Sequence, residues 1–415
     1  MKNTKFDWII VGGGISGITI AEILCRENKT VLLIEKNELL ASETSKEFHE
    51  WVHSGALYTL VPDNLLTLRY LLGATDDLLQ FYSSFPKMNL LPSSSGVTAE
   101  GSGWFNNQKI EFRYRVRKFN LVWMSLVSRS ISIIELISNH DWLRRKAGSE
   151  YGNSKIKINN WFKYIWKQIK TKEKFLKITT PDITMNSRVL IQDLLKASQK
   201  NGLEIIVGEK VISIDEDDLI VKVSTEKKDY FSENVVICSP DVIAEKYNIP
   251  IKTGYAPMAI VENVPENEVS FVELDYYLKT CINLLKKSGG IGQAGGITVN
   301  KETDIKPYID YVISEHKKRN PEINVIDSYV GIKKELVNKG EDRNYLYHIN
   351  HNSKRTWSVV LGKFTLAFSM APEFFRRVYN KNPSRINDKI TDLEDLSLVS
   401  ETSWQEIVRK NQKKY

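Results

Sequence analysis

At 415 residues, with 42% hydrophobic and 26% charged side chains, the sequence is that of a globular protein long enough for two substantial cores. Its net charge of +7 is modest for that length, and its three cysteines (Cys25, Cys238, Cys281) form neither a disulfide framework nor metal-ligand spacing, which suits a reducing, cytoplasmic compartment. Residues 1–5 are polar and run straight into an apolar strand, so no signal peptide is expected, and no uninterrupted apolar window reaches bilayer-crossing length.

That first strand, Trp8-Ile9-Ile10-Val11, is apolar and rich in β-branched residues, the pattern of a buried parallel strand. It breaks into Gly12, Gly14 and Gly17 in the G-x-G-x-x-G spacing, and Ile18, Ala21, Ile23 and Leu24 continue at helical spacing. Gly12 permits the tight turn, Gly14 lets a diphosphate approach the backbone, and Gly17 lets helix and strand pack closely. Ile15 and Ser16 open the helix, whose unpaired N–H groups and positive dipole end suit that diphosphate. A second strand, residues 30–34, ends in Glu35, where a dinucleotide fold places the acid for the ribose hydroxyls. Together these predict an α/β, Rossmann-like dinucleotide site and leave NAD and FAD both open.

Beyond Glu35-Lys36 comes a polar loop with Ser42, Thr44 and Ser45, then His53-Ser54-Gly55-Ala56-Leu57-Tyr58. The dinucleotide motif, the acid-Lys pair, the Ser-rich loop and His-Ser-Gly-Ala-x-Tyr resemble the FAD-dependent D-amino-acid oxidase superfamily. Within it, they are most similar to the glycerol-3-phosphate and 2-hydroxyglutarate dehydrogenase branch. The resemblance implies FAD as cofactor, with Lys36, Thr44 and Ser45 passing it and the His53 segment approaching the flavin ring.

Residues 63–85 carry apolar side chains at helical spacing, residues 89–107 read as loop, and residues 111–117 alternate as a strand with one basic face. Between residues 113 and 177 lie sixteen Lys/Arg against four acids, with Trp123, Trp142, Trp161 and Trp166 among them. The plainer reading is a helical insertion with a solvated basic face. The second is peripheral membrane contact through residues 119–177, since Lys/Arg with Trp and Leu mark interfacial helices. No nucleic-acid recognition module accompanies the block.

From residue 180 the resemblance resumes. A helix over 188–201 is followed by strands at 202–206 and 210–214, with Val211 on the cofactor side, then a hairpin over 219–231. Residues 234–239 resemble a strand ending beside the FAD, with Ser239-Pro240 where relatives carry glycine. Strands are expected at 255–261, with Pro257 confined to an edge or strand start, and at 268–274. Residues 279–287 read as helix, 289–296 as a flexible glycine-rich turn, 305–319 as helix and 323–330 as strand. Gly331-Ile332-Lys333-Lys334 sits where relatives have Gly-x-Arg-Pro. After two strands at 343–349 and 357–361, Gly362-Lys363-Phe364-Thr365 opens a helix, as the segment does that touches the FAD diphosphate and flavin in relatives.

The resemblance covers about 60–65% of the chain in separated blocks, as an interleaved two-domain chain would give. It implies an α/β (α+β overall) fold: a Rossmann-like FAD-binding domain (1–75, 181–250, 326–380), a mixed-sheet substrate domain (76–180 with the basic helical insertion, and 251–325), and a charged tail (381–415).

No side chain accepts a hydride, so the bound flavin supplies that chemistry and the protein supplies orientation and electrostatics. The expected activity is an FAD-dependent oxidoreductase moving hydride to flavin N5 from a hydroxy acid, polyol phosphate or sugar derivative. An amine or amino-acid oxidase, and a non-catalytic flavin-binding protein, are the alternatives. His53 is the candidate base, since imidazole titrates near neutrality; a covalent flavin link is its other functional reading. Lys333 would bind an anionic substrate group as a point charge, without the fork of an arginine. Leu57 stands where relatives carry a second Arg, and Arg343 is a candidate replacement anchor. His348 and His351 read as surface residues, and no cluster has metal spacing. The electron acceptor, oxygen or quinone, is left open.

Overall fold

The strand predicted at residues 8–11 is the centre of the first sheet, with neighbours on both edges. In the computed structural model, which describes residues 6–60, 63, 65–89, 103–139, 161–275, 280–336, 344–385 and 398–412, it is β1 (Phe6–Val11). Then follow β2 (Val31–Ile34), β3 (Trp51–Val52), β4 (Phe105–Arg115), β5 (Phe175–Met185), β6 (Glu204–Ile206), β7 (Val211–Glu216), β8 (Val221–Thr225) and β9 (Asp229–Ile237). The rest are β10 (Lys252–Glu262), β11 (Phe271–Asp275), β12 (Thr280–Lys286), β13 (Gly292–Gly296), β14 (Asn324–Glu335), β15 (Tyr347–His351) and β16 (Thr356–Leu361). The helices are α1 (Ile15–Arg26), α2 (Thr44–Glu47), α3 (Leu66–Tyr82), α4 (Leu121–Asn139), α5 (Trp161–Lys170), α6 (Ser187–Lys200), α7 (Pro240–Tyr247), α8 (Ile305–Arg319), α9 (Ala367–Tyr379) and α10 (Ser403–Gln412).

The first sheet runs β15-β16-β9-β1-β2-β6, with β7 and β8 continuing from β9. β1 pairs in parallel with β2 and β9, and both of its faces are buried. Trp8 and Ile10 pack into the core shared with α1, α6 and α9, while Ile9 and Val11 pack into the core under the β7–β9 strands. This is why its sequence is a continuous apolar run rather than an alternation. The hairpin strand and the FAD-side strand expected separately between residues 229 and 239 form one strand, β9, antiparallel to β8 and parallel to β1.

The second sheet runs β14-β10-β13-β12-β11-β4-β5-β3. Phe271 and Leu284 join the core under α8, whereas Val272 and Leu285 join the core with α4, so both faces are covered. Three expectations fail here. Of the expected helix over 279–287, the described residues 280–287 are not helical: β12 is an interior strand, and burial of Leu284 and Leu285 on opposite faces overrides the helical propensity of Leu and Lys. The glycine-rich stretch turns only at 288–291 and then becomes β13, where bare backbone is needed because a Cβ on Gly295 would come 2.5 Å from His49 Nε2. Pro257 is in the interior strand β10, paired with Val330 on one side. On its other side it falls between the Tyr255–Val299 bridge and the Ala259–Ala294 pair, a gap in the ladder that tolerates a missing donor.

α4 has the length and hydropathy of a membrane span over Leu121–Ser138, though Arg129 and Glu135 interrupt it, and 56% of that window is buried inside the protein. Trp123, Val127, Ile131 and Ile134 pack against β4 and β11 residues such as Phe112 and Val272, so its apolar face is spoken for. The charged tail returns to the site: Leu40 bridges Val399, and Lys46 pairs with Glu406 at 3.0 Å.

Candidate active site

A cavity of about 1160 Å³ opens between residues of the two sheets, lined at one end by Gly12, Gly14, Glu35 and Val211 and at the other by His53, Lys333 and Lys363. Its volume exceeds the roughly 300–1,000 Å³ of an ordinary small-molecule site, leaving room for a dinucleotide and a substrate.

The β1–α1 turn forms the first end. Gly12 has φ +111°, a conformation L side chains rarely adopt. Gly17 lies off the cavity; a Cβ there would strike the Gly12 carbonyl, so its glycine serves the close strand–helix packing. Gly14, Ile15 and Ser16 put the N-terminus of α1 on the cavity wall without a side-chain cap from Gly14 itself. Ser45 Oγ accepts from the Ile15 N–H at 3.1 Å. Glu35 Oε2 accepts from the Gly13 N–H at 2.7 Å, while Oε1 accepts from the Asn37 backbone and side-chain amides at 2.9 and 2.8 Å.

Lys36 also lines the cavity, with its ammonium held by Glu43 at 2.7 Å and Asp241 at 3.4 Å. Thr44 lines it too, and its hydroxyl donates to the Ile332 carbonyl at 3.0 Å. At Ser239-Pro240 the glycine turn of relatives is replaced by a helix start: Ser239 sits at the N-cap position of α7 without a side-chain capping bond, Pro240 is in its first turn, and both line the cavity.

At the other end, β3 delivers His53 and the β16–α9 connection delivers Gly362, Lys363 and Phe364. Thr365 is fully buried behind them, and its hydroxyl accepts from the His53 N–H at 3.1 Å. His53 Nδ1 is buried without a hydrogen-bond partner. Burial first, then the positive charge of Lys363, the neighbouring His49 and Lys333, hold the His53 pKa well below the usual imidazole value. His53 is therefore neutral at physiological pH, with a ring nitrogen able to accept a proton. Lys333 lines the same end from β14, where its ammonium pairs with Glu335. Lys363 lies over the rings of Tyr58 and Tyr345, at 5.4 and 5.3 Å.

Several of these residues carry no sequence signal. His49, Tyr345 and Asn283 all line the cavity. Burial, and next the charge of Lys287, push His49 down to about 4 against the opposing effect of the Asn283 side chain, and His49 Nε2 and Asn283 Oδ1 both lie beside Gly295. Asp182, which the sequence places only ahead of a helix, is fully buried and orders the His53 loop. It accepts from the Ser54 N–H at 2.8 Å, from the Ser54 hydroxyl and from Trp51 Nε1 at 2.9 Å. His348 and His351 do not line the cavity; His351 stacks on Trp357 at 4.1 Å. Arg343 lies outside the described residues. No group of His, Cys, Asp and Glu could hold a metal among the described residues.

The donor set fits FAD. The helix N-terminus and Gly14 offer backbone N–H groups to a diphosphate, the buried Glu35 carboxylate offers acceptors to ribose hydroxyls, and the partnerless His53 Nδ1 lies at the far end. When bound there, a flavin supplies the hydride acceptor; the residues of the chain hold it, dry the site and move protons.

Comparison with known proteins agrees. Residues 7–149 match the profile of the DAO family, described as FAD dependent oxidoreductase. No curated protein sequence matches the chain. Among solved structures, an FAD-bound L-alpha-glycerophosphate oxidase from Mycoplasma pneumoniae is 17% identical with a TM-score of 0.64, covering 94% of this chain and 99% of that one. A glycine oxidase from Geobacillus kaustophilus is 13% identical with a TM-score of 0.64, covering 94% and 99%. The FAD complex of glycerol-3-phosphate dehydrogenase from Bacillus halodurans is 15% identical with a TM-score of 0.56, covering all of this chain and 72% of that one. Such identities carry the fold, while the profile match spans the glycine motif, Glu35 and His53. Over residues 7–149 the chain is thus similar to the DAO family of FAD-dependent oxidoreductases, and its fold is shared with these solved flavoenzymes along most of its length.

Proposed function

We propose that the enzyme dehydrogenates a small anionic alcohol, a hydroxy acid or polyol phosphate, at the His53 end of the cavity. The observation that carries this reading is the meeting there of a neutral, partnerless imidazole with two lysines, Lys333 and Lys363. A carboxylate or phosphate beside Lys363 would offset part of the charge that holds His53 down, so binding the anion raises the basicity of the imidazole. His53 then takes the hydroxyl proton at Nδ1 as the C–H bond breaks. Tyr58 and Tyr345 flank Lys363 and limit where the anion sits.

Lys333 is the weaker anchor, because Glu335 already pairs with it. Leu57 on the cavity wall removes a guanidinium that relatives use, which favours a smaller or singly charged anion over a phosphate held by several cations. An amino acid would also present a carboxylate, and an amine panel separates that reading.

The test is anaerobic mixing of the holoenzyme with 2-hydroxy acids, polyol phosphates and amines, following loss of oxidised flavin absorbance. Reduction by a hydroxy acid or polyol phosphate is expected. Reduction by amines alone would replace the reading with an amine oxidase, and no reduction by any of the three would remove it.

A further inference from the structure

We infer that the outer end of α4 and α5 is a docking surface for an anionic phospholipid bilayer. Two contacts bring three separate segments to one end of the molecule. Gln168 Nε2 donates to the Met124 carbonyl at 3.0 Å, setting the C-terminal end of α5 beside the N-terminal end of α4. The Val116 N–H donates to the Lys174 carbonyl at 2.9 Å, setting the β4–α4 loop beside the start of β5.

At this end the usual burial rule is reversed. Leu121 and Val122 are 72% and 73% exposed, Phe119 is fully exposed, and Trp166 and Ile169, three residues apart on α5, are exposed beside them. These five are large apolar groups on the outer surface, while Tyr164 and Gln168 hold α5 to the protein. Around them stand Lys118, Lys167, Lys170, Lys172 and Lys174, all exposed. Among the described residues none of these five has a carboxylate within salt-bridge distance, and Lys170 instead lies over the Trp166 ring at 4.9 Å.

Charge complementarity and side-chain type select the occupant. A second copy of the chain would bring the same five lysines against these. Single-stranded RNA would use the lysines and the aromatic rings, but gains nothing from Leu121, Val122 and Ile169. A bilayer with anionic headgroups uses both sets: aliphatic groups and Trp enter the acyl boundary while lysine stems reach back to the headgroups. α4 itself stays packed in the protein, so contact is peripheral. The surface is joined to the cavity wall, because Arg129 of α4 donates to the Thr59 carbonyl at 3.1 Å in the segment that carries Leu57, Tyr58 and Leu60.

The experiment is flotation of the purified holoenzyme with phosphatidylcholine vesicles, with and without phosphatidylglycerol, at low salt. The variants are L121S/W166S and K167Q/K170Q, with flavin absorbance and size-exclusion elution as controls. The wild type is expected to float only with the anionic vesicles. Each lysine neutralised should lower the partition about fivefold, and L121S/W166S should lose flotation with its charge unchanged. A wild type that stays unbound to anionic vesicles would overturn the inference, as would undiminished flotation of L121S/W166S. Conversion of a wild-type dimer to a monomer by L121S/W166S would assign the patch to self-association instead, and binding to poly(U) at salt that releases the vesicles would assign it to RNA.

Discussion

Asp182 on β5 accepts the backbone N–H of Ser54 at 2.8 Å across 128 residues of sequence, and through it the second sheet fixes the loop that presents His53. Burial pushes the Asp182 carboxyl up to about 6, against the lowering effect of its Ser54 and Trp51 hydrogen bonds. A carboxyl whose folded pKa is raised binds its proton more tightly folded than unfolded. Stability from this group is therefore greatest below about pH 4 and falls as pH rises through about 6. Removing the charge with Asp182→Asn should shift the gap in melting temperature between variant and wild type in favour of the variant as pH rises from about 4 to about 6. A gap that does not move across that window would contradict a buried, ionising Asp182.

Glu50 behaves oppositely. It has φ +55° and is buried, with Lys287 at 2.7 Å, Trp404 Nε1 at 2.8 Å and the Ser187 N–H and hydroxyl at 2.9 and 2.8 Å. Burial alone would raise its pKa, but the Lys287 ion pair and the Ser187 bonds outweigh it and hold the carboxyl below its ordinary value. Its stabilisation is present above the unfolded carboxyl pKa and is lost as pH falls through the folded one. Lys287→Met strands a buried carboxylate and should cost about 3–5 kcal/mol in denaturant unfolding at pH 7. A loss under about 1 kcal/mol would mean the pair is solvated.

Gly17→Ala places a Cβ against the Gly12 carbonyl, backbone against backbone, with no flexible side chain to yield. The strand and helix must separate, at a cost of about 1–3 kcal/mol or more. Protein purified from this variant should contain little flavin, and absorbance ratios at the flavin and protein bands measure that directly. Full flavin occupancy would show that the β1–α1 turn absorbs the methyl group without moving.

The sequence carries the cofactor end of this site far better than the substrate end, for a physical reason. Gly12, Gly14, Gly17 and Glu35 act through backbone geometry and one carboxylate within a single βαβ unit, so their spacing along the chain is their spacing in space. The substrate end is assembled from β3, β12, β14 and β16. Asn283 arrives there only because residues 280–286 form an interior strand, and local propensity had pointed to a helix. His49 depends on that strand's neighbour having no side chain at Gly295. Asp182 acts through a hydrogen bond that no local pattern encodes. His53 and Lys363 were both placed at the flavin by the family resemblance; the effect of the Lys363 charge on the buried His53 appears only in the folded chain.

Lys363 provides a test of the electrostatics. After burial, its charge is the next cause holding His53 down. Lys363→Met should raise the His53 pKa, moving the acidic limb of the kcat/KM profile to higher pH, and should raise KM for an anionic substrate by about 10–100-fold. A KM that rises with no movement of the limb would separate anion binding from the tuning of His53.

The most direct measurement is anaerobic flavin reduction by one hydroxy acid and by its uncharged amide, in the wild type and in His53→Gln. The free acid is expected to reduce the wild-type flavin at lower concentration than the amide, and His53→Gln to keep its flavin while slowing reduction about 10²–10⁴-fold. Equal reduction by acid and amide, at a rate that His53→Gln leaves unchanged, would contradict both the anionic substrate and the base.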